Sequence, residues 1–132
     1  MLRSAALFFA VVTAAAVLFQ LALAAGAPLG ELAMGGAYPG QFPPALRVAA
    51  VVQGAILAAL AAVVLARARV AFPRWERASR WAIWIVVAFS AVSAVLNTIT
   101  PSARERMIWA PVGVTMFVSS LVVAVLSRRA RR

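Results

Sequence analysis

With 132 residues, 65% of them hydrophobic and only 12% charged, the chain is one domain in size but has too little polar surface to cover a soluble globule. The formal net charge of +10 comes from thirteen arginines against three acids, and these arginines fall between long uncharged runs, a pattern of membrane topology rather than of a nucleic-acid-binding face. There is no Cys and no His, and Glu31, Glu76 and Glu105 are the only acids, so disulfides, thiolate or His-based catalysis, haem ligation and His/Cys metal sites are excluded and no cofactor or metal is expected.

Ser4 to Gly30 carries no charge, a run longer than the roughly 20 residues a helix needs to cross a hydrocarbon core. The first span is predicted at about 5–25. Its start also fits a signal peptide, with Arg3 before an apolar core and Ala22-Leu23-Ala24 as a small-x-small cleavage pattern. The core exceeds the roughly 7 to 15 residues usual for such a leader, which favours a retained span.

Gly26 to Pro44 holds five of the seven glycines and four of the seven prolines, a density that ends helices and sets turns. Leu29, Leu32, Met34, Tyr38 and Phe42 recur through this loop of 26–44, so it is expected to be compact and to lie over the outer helix ends. Gly30 and Gly35 do not make a phosphate loop, because no Gly-Lys-Ser/Thr follows them.

Pro43-Pro44 starts the second span, at about 45–66, since proline suits the first helical turn. Arg47 lies in that turn, where a cation opposes the helix dipole, and Glu31, the only acid of the preceding loop, is its expected partner. Gly54, Ala58 and Ala62, like Ala6, Ala10 and Ala14 in the first span, form small-residue rows that let another helix approach closely.

The basic loop at 67–80 holds five of the thirteen arginines. Arginine-dense short loops between spans stay in the cytoplasm, which would leave ten arginines inside and only Arg47, Arg104 and Arg106 outside. Both termini are then cytoplasmic in a multi-pass protein of a bacterial inner membrane, the inner arginines meeting anionic headgroups. Trp75, Trp81 and Trp84 would mark the inner boundary, and Trp109 and Tyr38 the outer one, as aromatic belts.

The third span, at about 81–99, puts Ser90, Ser93 and Asn97 on one face. Ser102 and Glu105 match a capping box that opens the fourth helix, whose span at about 107–126 is expected to be interrupted and kinked at Pro111 and loosened at Gly113. Thr115 and Ser119, four apart, can bond to neighbouring helices or to their own backbone. The predicted fold is all-α: one membrane-embedded antiparallel four-helix bundle over 1–132.

Gln20, Gln53, Ser93 and Asn97 all fall in the outer half and need partners inside the bundle, whereas the cytoplasmic half offers almost no polar side chain to bury. The candidate ligand site is Glu31, Tyr38, Arg47, Gln53, Ser93, Asn97, Arg104 and Arg106: an outward-facing polar pocket, lidded by the Gly/Pro loop, for a lipid headgroup or small amphiphile held through Arg47 and Arg104 or Arg106. The plainer alternative is that these residues glue helices and anchor the loop.

The leading functional reading is a non-enzymatic accessory or interaction subunit whose small-residue seams contact a second copy or a larger membrane partner, with no nucleic-acid role. The second is a small-molecule transporter or channel subunit. Small four-span multidrug transporters resemble the chain in length and span count, but their coupling depends on an acid in the first span and no predicted span here contains one. A lipid-modifying enzyme would have to use Glu31 or Glu105 as its acid-base group. The segments Gly30-Glu31-Leu32-Ala33-Met34-Gly35-Gly36, Tyr38-Pro39-Gly40, Pro44-Ala45-Leu46-Arg47 and Asn97-Thr98-Ile99-Thr100-Pro101-Ser102 resemble small uncharacterised four-span membrane proteins of GC-rich bacteria. That resemblance implies the architecture and carries over no functional residue.

Overall fold

The computed structural model describes residues 1–131. Its long elements are four helices, α1 (Leu2–Ala24), α2 (Pro44–Arg67), α3 (Glu76–Ile99) and α4 (Ala103–Arg129), and no strand occurs among the described residues. Each is long and apolar enough to cross a membrane, which fits a small multi-pass integral membrane protein. They form an up-and-down bundle in which α1 packs on α2 and α4, and α3 packs on α4 and, least closely, on α2. The loop between α1 and α2 and the turn between α3 and α4 share one end, the loop end. The α2–α3 connection and the end of α4 share the other, the arginine end.

The helices run beyond the predicted spans, because a helix can continue into the interface once its apolar length is satisfied. The basic stretch at 67–80 is therefore part helix and part connection: Arg67 closes α2, while Arg77 and Arg80 lie in α3, which opens with Glu76 in its first turn, where a carboxylate suits the dipole. Between them, α2 ends with Val70 N–H bonded to the Leu65 carbonyl at 2.9 Å and Arg69 N–H to that of Ala66 at 3.1 Å, a Schellman-type ending that puts Arg69 at φ 57°, where glycine is usual. α4 runs without a break through Pro111, contrary to the expected interruption. Neighbouring helices hold the segment, although the missing N–H leaves the Met107 carbonyl without its usual donor.

The main core lies toward the arginine end, where Phe9, Val64, Ile83, Val86 and Val123 are fully buried and interlock. This half also buries Arg67, Ser79, Ser119, Ser120 and Ser127, which overturns the expectation that it holds almost no buried polarity. The serines lower their cost by returning hydrogen bonds to their own helices: Ser119 to the Thr115 carbonyl at 2.6 Å, Ser120 to that of Phe117 at 3.0 Å, Ser127 to that of Ala124 at 3.1 Å, and Ser79 to that of Glu76 at 2.7 Å. Arg67 donates through Nη2 to the Ser127 carbonyl at 3.1 Å and so joins α2 to α4. Glu76 receives Arg69 at 2.8 Å and Arg131 at 3.9 Å.

Close approach depends on particular small residues rather than on whole rows. A Cβ on Gly113 would stand 2.9 Å from the Ala94 Cα, so α3 and α4 touch backbone to backbone there. On the α1–α2 seam a Cβ on Gly54 would stand 3.5 Å from the Gln20 Cβ, an ordinary contact, while Ala58 and Ala14 of the predicted rows are exposed.

Candidate functional site

At the loop end a second, smaller cluster of Leu23, Phe42 and Ala50 packs with Leu29, Ala33 and Leu46, and this apolar anchorage makes the Gly/Pro segment a compact cover. Two single 3-10 turns, Gly30–Leu32 and Met34–Gly36, shape it. Gly30 N–H bonds to the Gly40 carbonyl at 2.9 Å, and a Cβ on Gly30 would fall 1.9 Å from the Tyr38 carbonyl oxygen, so only glycine fits.

The cover is tied to the first turns of α4. Ser102 caps the helix, its hydroxyl accepting from Glu105 N–H at 3.3 Å. The reciprocal half of the capping box is absent. The buried Glu105 carboxylate instead accepts from Gly35 N–H at 2.8 Å and from the Thr100 hydroxyl at 3.0 Å, both on Oε2. Trp109, one turn further on, donates its indole N–H to the Leu32 carbonyl at 2.9 Å and lies against Phe19 of α1 with ring centroids 4.6 Å apart. It is thus an internal strut rather than a belt residue facing lipid.

Beneath the cover is a cavity of about 840 Å³, within the range usual for small-molecule sites. Its aromatic wall comes from Phe19, Phe42, Phe89 and Trp109. Its polar groups are Gln20 of α1, Gln53 of α2, Ser93 and Asn97 of α3, Thr100 of the turn and Glu105 of α4. Leu96, Ile99 and Met34 belong to the lining and yet are 57%, 68% and 55% exposed, so the mouth opens sideways along the α3 edge, at the loosely packed α2–α3 seam. Toward the arginine end the main core fills the bundle.

Of the predicted site residues, Gln53, Ser93 and Asn97 line this cavity, with the Asn97 amide donating to the Ser93 carbonyl of its own helix at 2.8 Å. Glu31, Tyr38, Arg47, Arg104 and Arg106 do not line it. Arg47 does not pair with Glu31: its Nε donates to the Phe42 carbonyl at 2.8 Å, and its guanidinium lies beside Gly26. Glu31 pairs with Arg104 at 2.7 Å, because the loop folds toward α4, where its carbonyl also accepts from the Ser102 hydroxyl at 3.3 Å. Tyr38 is exposed and sits edge-on to Phe42, 6.4 Å between centroids.

Sequence reasoning missed Glu105 as a wall residue, together with Phe19, Phe89 and Trp109. Ser102-x-x-Glu105 reads as a complete local motif, and no local signal links Glu105 to Gly35, 70 residues away. Among the described residues no three acids converge on a point that could hold a metal ion. No family model, curated protein or solved structure matches the chain.

Proposed function

We propose that the protein is a non-enzymatic accessory or interaction subunit of a membrane, whose loop-end cavity takes up the apolar body of a lipid or small amphiphile. The observation that carries this reading is the sideways-opening cavity of about 840 Å³, apolar and aromatic over most of its wall with a few polar groups, the composition of a binding site rather than of a catalytic one. The packed core toward the arginine end favours binding over conduction, since the cavity lies at the loop end and opens sideways. The arginine-rich end lies in the cytoplasm on this reading, with Arg128 stacked 5.8 Å over Trp84 at the level of anionic headgroups.

Native mass spectrometry of the protein released from membranes tests the proposal. A retained lipid or amphiphile is expected in the native chain and should be lost in Ser93→Trp, which fills the cavity from α3, away from the residues on which the loop docks. An unoccupied native chain that also fails to take up added amphiphile would rule the reading out.

A further inference from the structure

The arginines of the loop end, which the sequence suggested as anion contacts, are turned away from the cavity or engaged elsewhere, as the Phe42 carbonyl engages Arg47 and Glu31 engages Arg104. The one charged side chain in the cavity lining is Glu105. From this inversion of sign we propose that the occupant is a lipophilic cation: an amphiphile with an ammonium-type head and an apolar body, entering between α2 and α3 and setting its charge against Glu105. The inference rests on the reading that the cavity binds an amphiphile and adds the charge of its head.

Glu105 is only 7% exposed, and its two accepted hydrogen bonds both fall on Oε2. Oε1 therefore remains to meet a donor or a cation, and the carboxylate is held in place by the loop and the α3–α4 turn before any ligand arrives. Trp109 follows Glu105 by four residues, on the same face of α4, and its indole is fixed by the Leu32 carbonyl and the Phe19 ring. A carboxylate beside an oriented indole is an environment that stabilises an organic cation, by charge and by the ring's negative face. Gln20, Gln53 and Asn97 bring carboxamide oxygens to the same lining, able to accept from ammonium N–H groups. An anionic head would meet Glu105 with no cation in the wall to offset it. Arg104, at 74% exposure, and the exposed Arg106 act through solvent and are screened, whereas the buried Glu105 acts within a largely apolar wall, where charge is felt more strongly.

The test uses the full chain in phosphatidylcholine vesicles with Trp75, Trp81 and Trp84 replaced by Phe, so that Trp109 is the sole indole. Three bromine-labelled single-chain amphiphiles with the same tail, a primary ammonium, an alcohol and a sulfate, are titrated as quenchers. The ammonium should quench at a mole fraction lower than the alcohol by a factor of about ten, and the sulfate should be the weakest. Glu105→Gln should bring ammonium and alcohol to within about twofold of each other, while Glu31→Gln, which removes an acid outside the cavity, should leave the preference intact. The ranking in the native chain decides even where Glu105→Gln folds poorly: alcohol or sulfate quenching as well as ammonium overturns the cation assignment and leaves the amphiphile reading standing. Absence of quenching by all three overturns both.

Discussion

The two ends of the bundle are made from the same four helices but treat polar groups in opposite ways. At the arginine end each buried serine bonds back to its own helix, and Arg67 is the one side chain seen to join buried backbone across helices. At the loop end Asn97 and Thr98 also bond within their own helix, but the groups that hold the cover reach across the fold: Glu105 to Gly35, Trp109 to Leu32, Ser102 to Glu31. Stability at the first end comes from packing, and order at the second from a few long-range ties around an unfilled space. A hydroxyl satisfied locally can be removed almost without loss, whereas a tie across the fold leaves an orphaned partner behind.

The largest effect that would break this contrast is expected at Gly30. Gly30→Ala drives a Cβ into the Tyr38 carbonyl and should cost about 3 kcal/mol locally, read as fast amide exchange across the cover while α3 and α4 stay protected. Next come Gly113→Ala, which separates α3 from α4 at Ala94, and Glu105→Ala, which orphans Gly35 N–H. Each should lower stability by about 2 kcal/mol in denaturant titrations of the reconstituted protein, with only Glu105→Ala exposing the loop to protease. At the arginine end Ser120→Ala should fall within about 0.5 kcal/mol of the native chain although Ser120 is fully buried, because the Phe117 carbonyl keeps its helical partner. A loss as large as that of Glu105→Ala would erase the distinction between the two ends. Arg104→Ala should also move stability by no more than about 0.5 kcal/mol, since its pair with Glu31 is exposed on both sides.

The four helices were legible because uncharged runs of membrane length admit little else, and Gln53, Ser93 and Asn97 were legible as cavity residues because depth along a helix follows directly from position. The loop partners were not. Which acid meets which arginine depends on where the Gly/Pro cover lands, and that follows from the docking of Phe42 and Leu29 on Leu23 and Ala50, a tertiary event with no local signature. Glu105 was hidden by its own fit to a capping box, half of which is real. Arg67 was hidden by sitting among arginines in a segment that reads as loop, when its helix in fact carries it into the interior.

Pro111 gives this arrangement a mechanical consequence. Ser102, Arg104, Glu105 and Trp109, through which α4 holds the cover, all precede it in the chain, so they belong to one short lever beyond a point where the helix has surrendered a backbone bond. A change of bend at Pro111 would move these four residues, and the cover they hold, as one unit relative to the rest of α4.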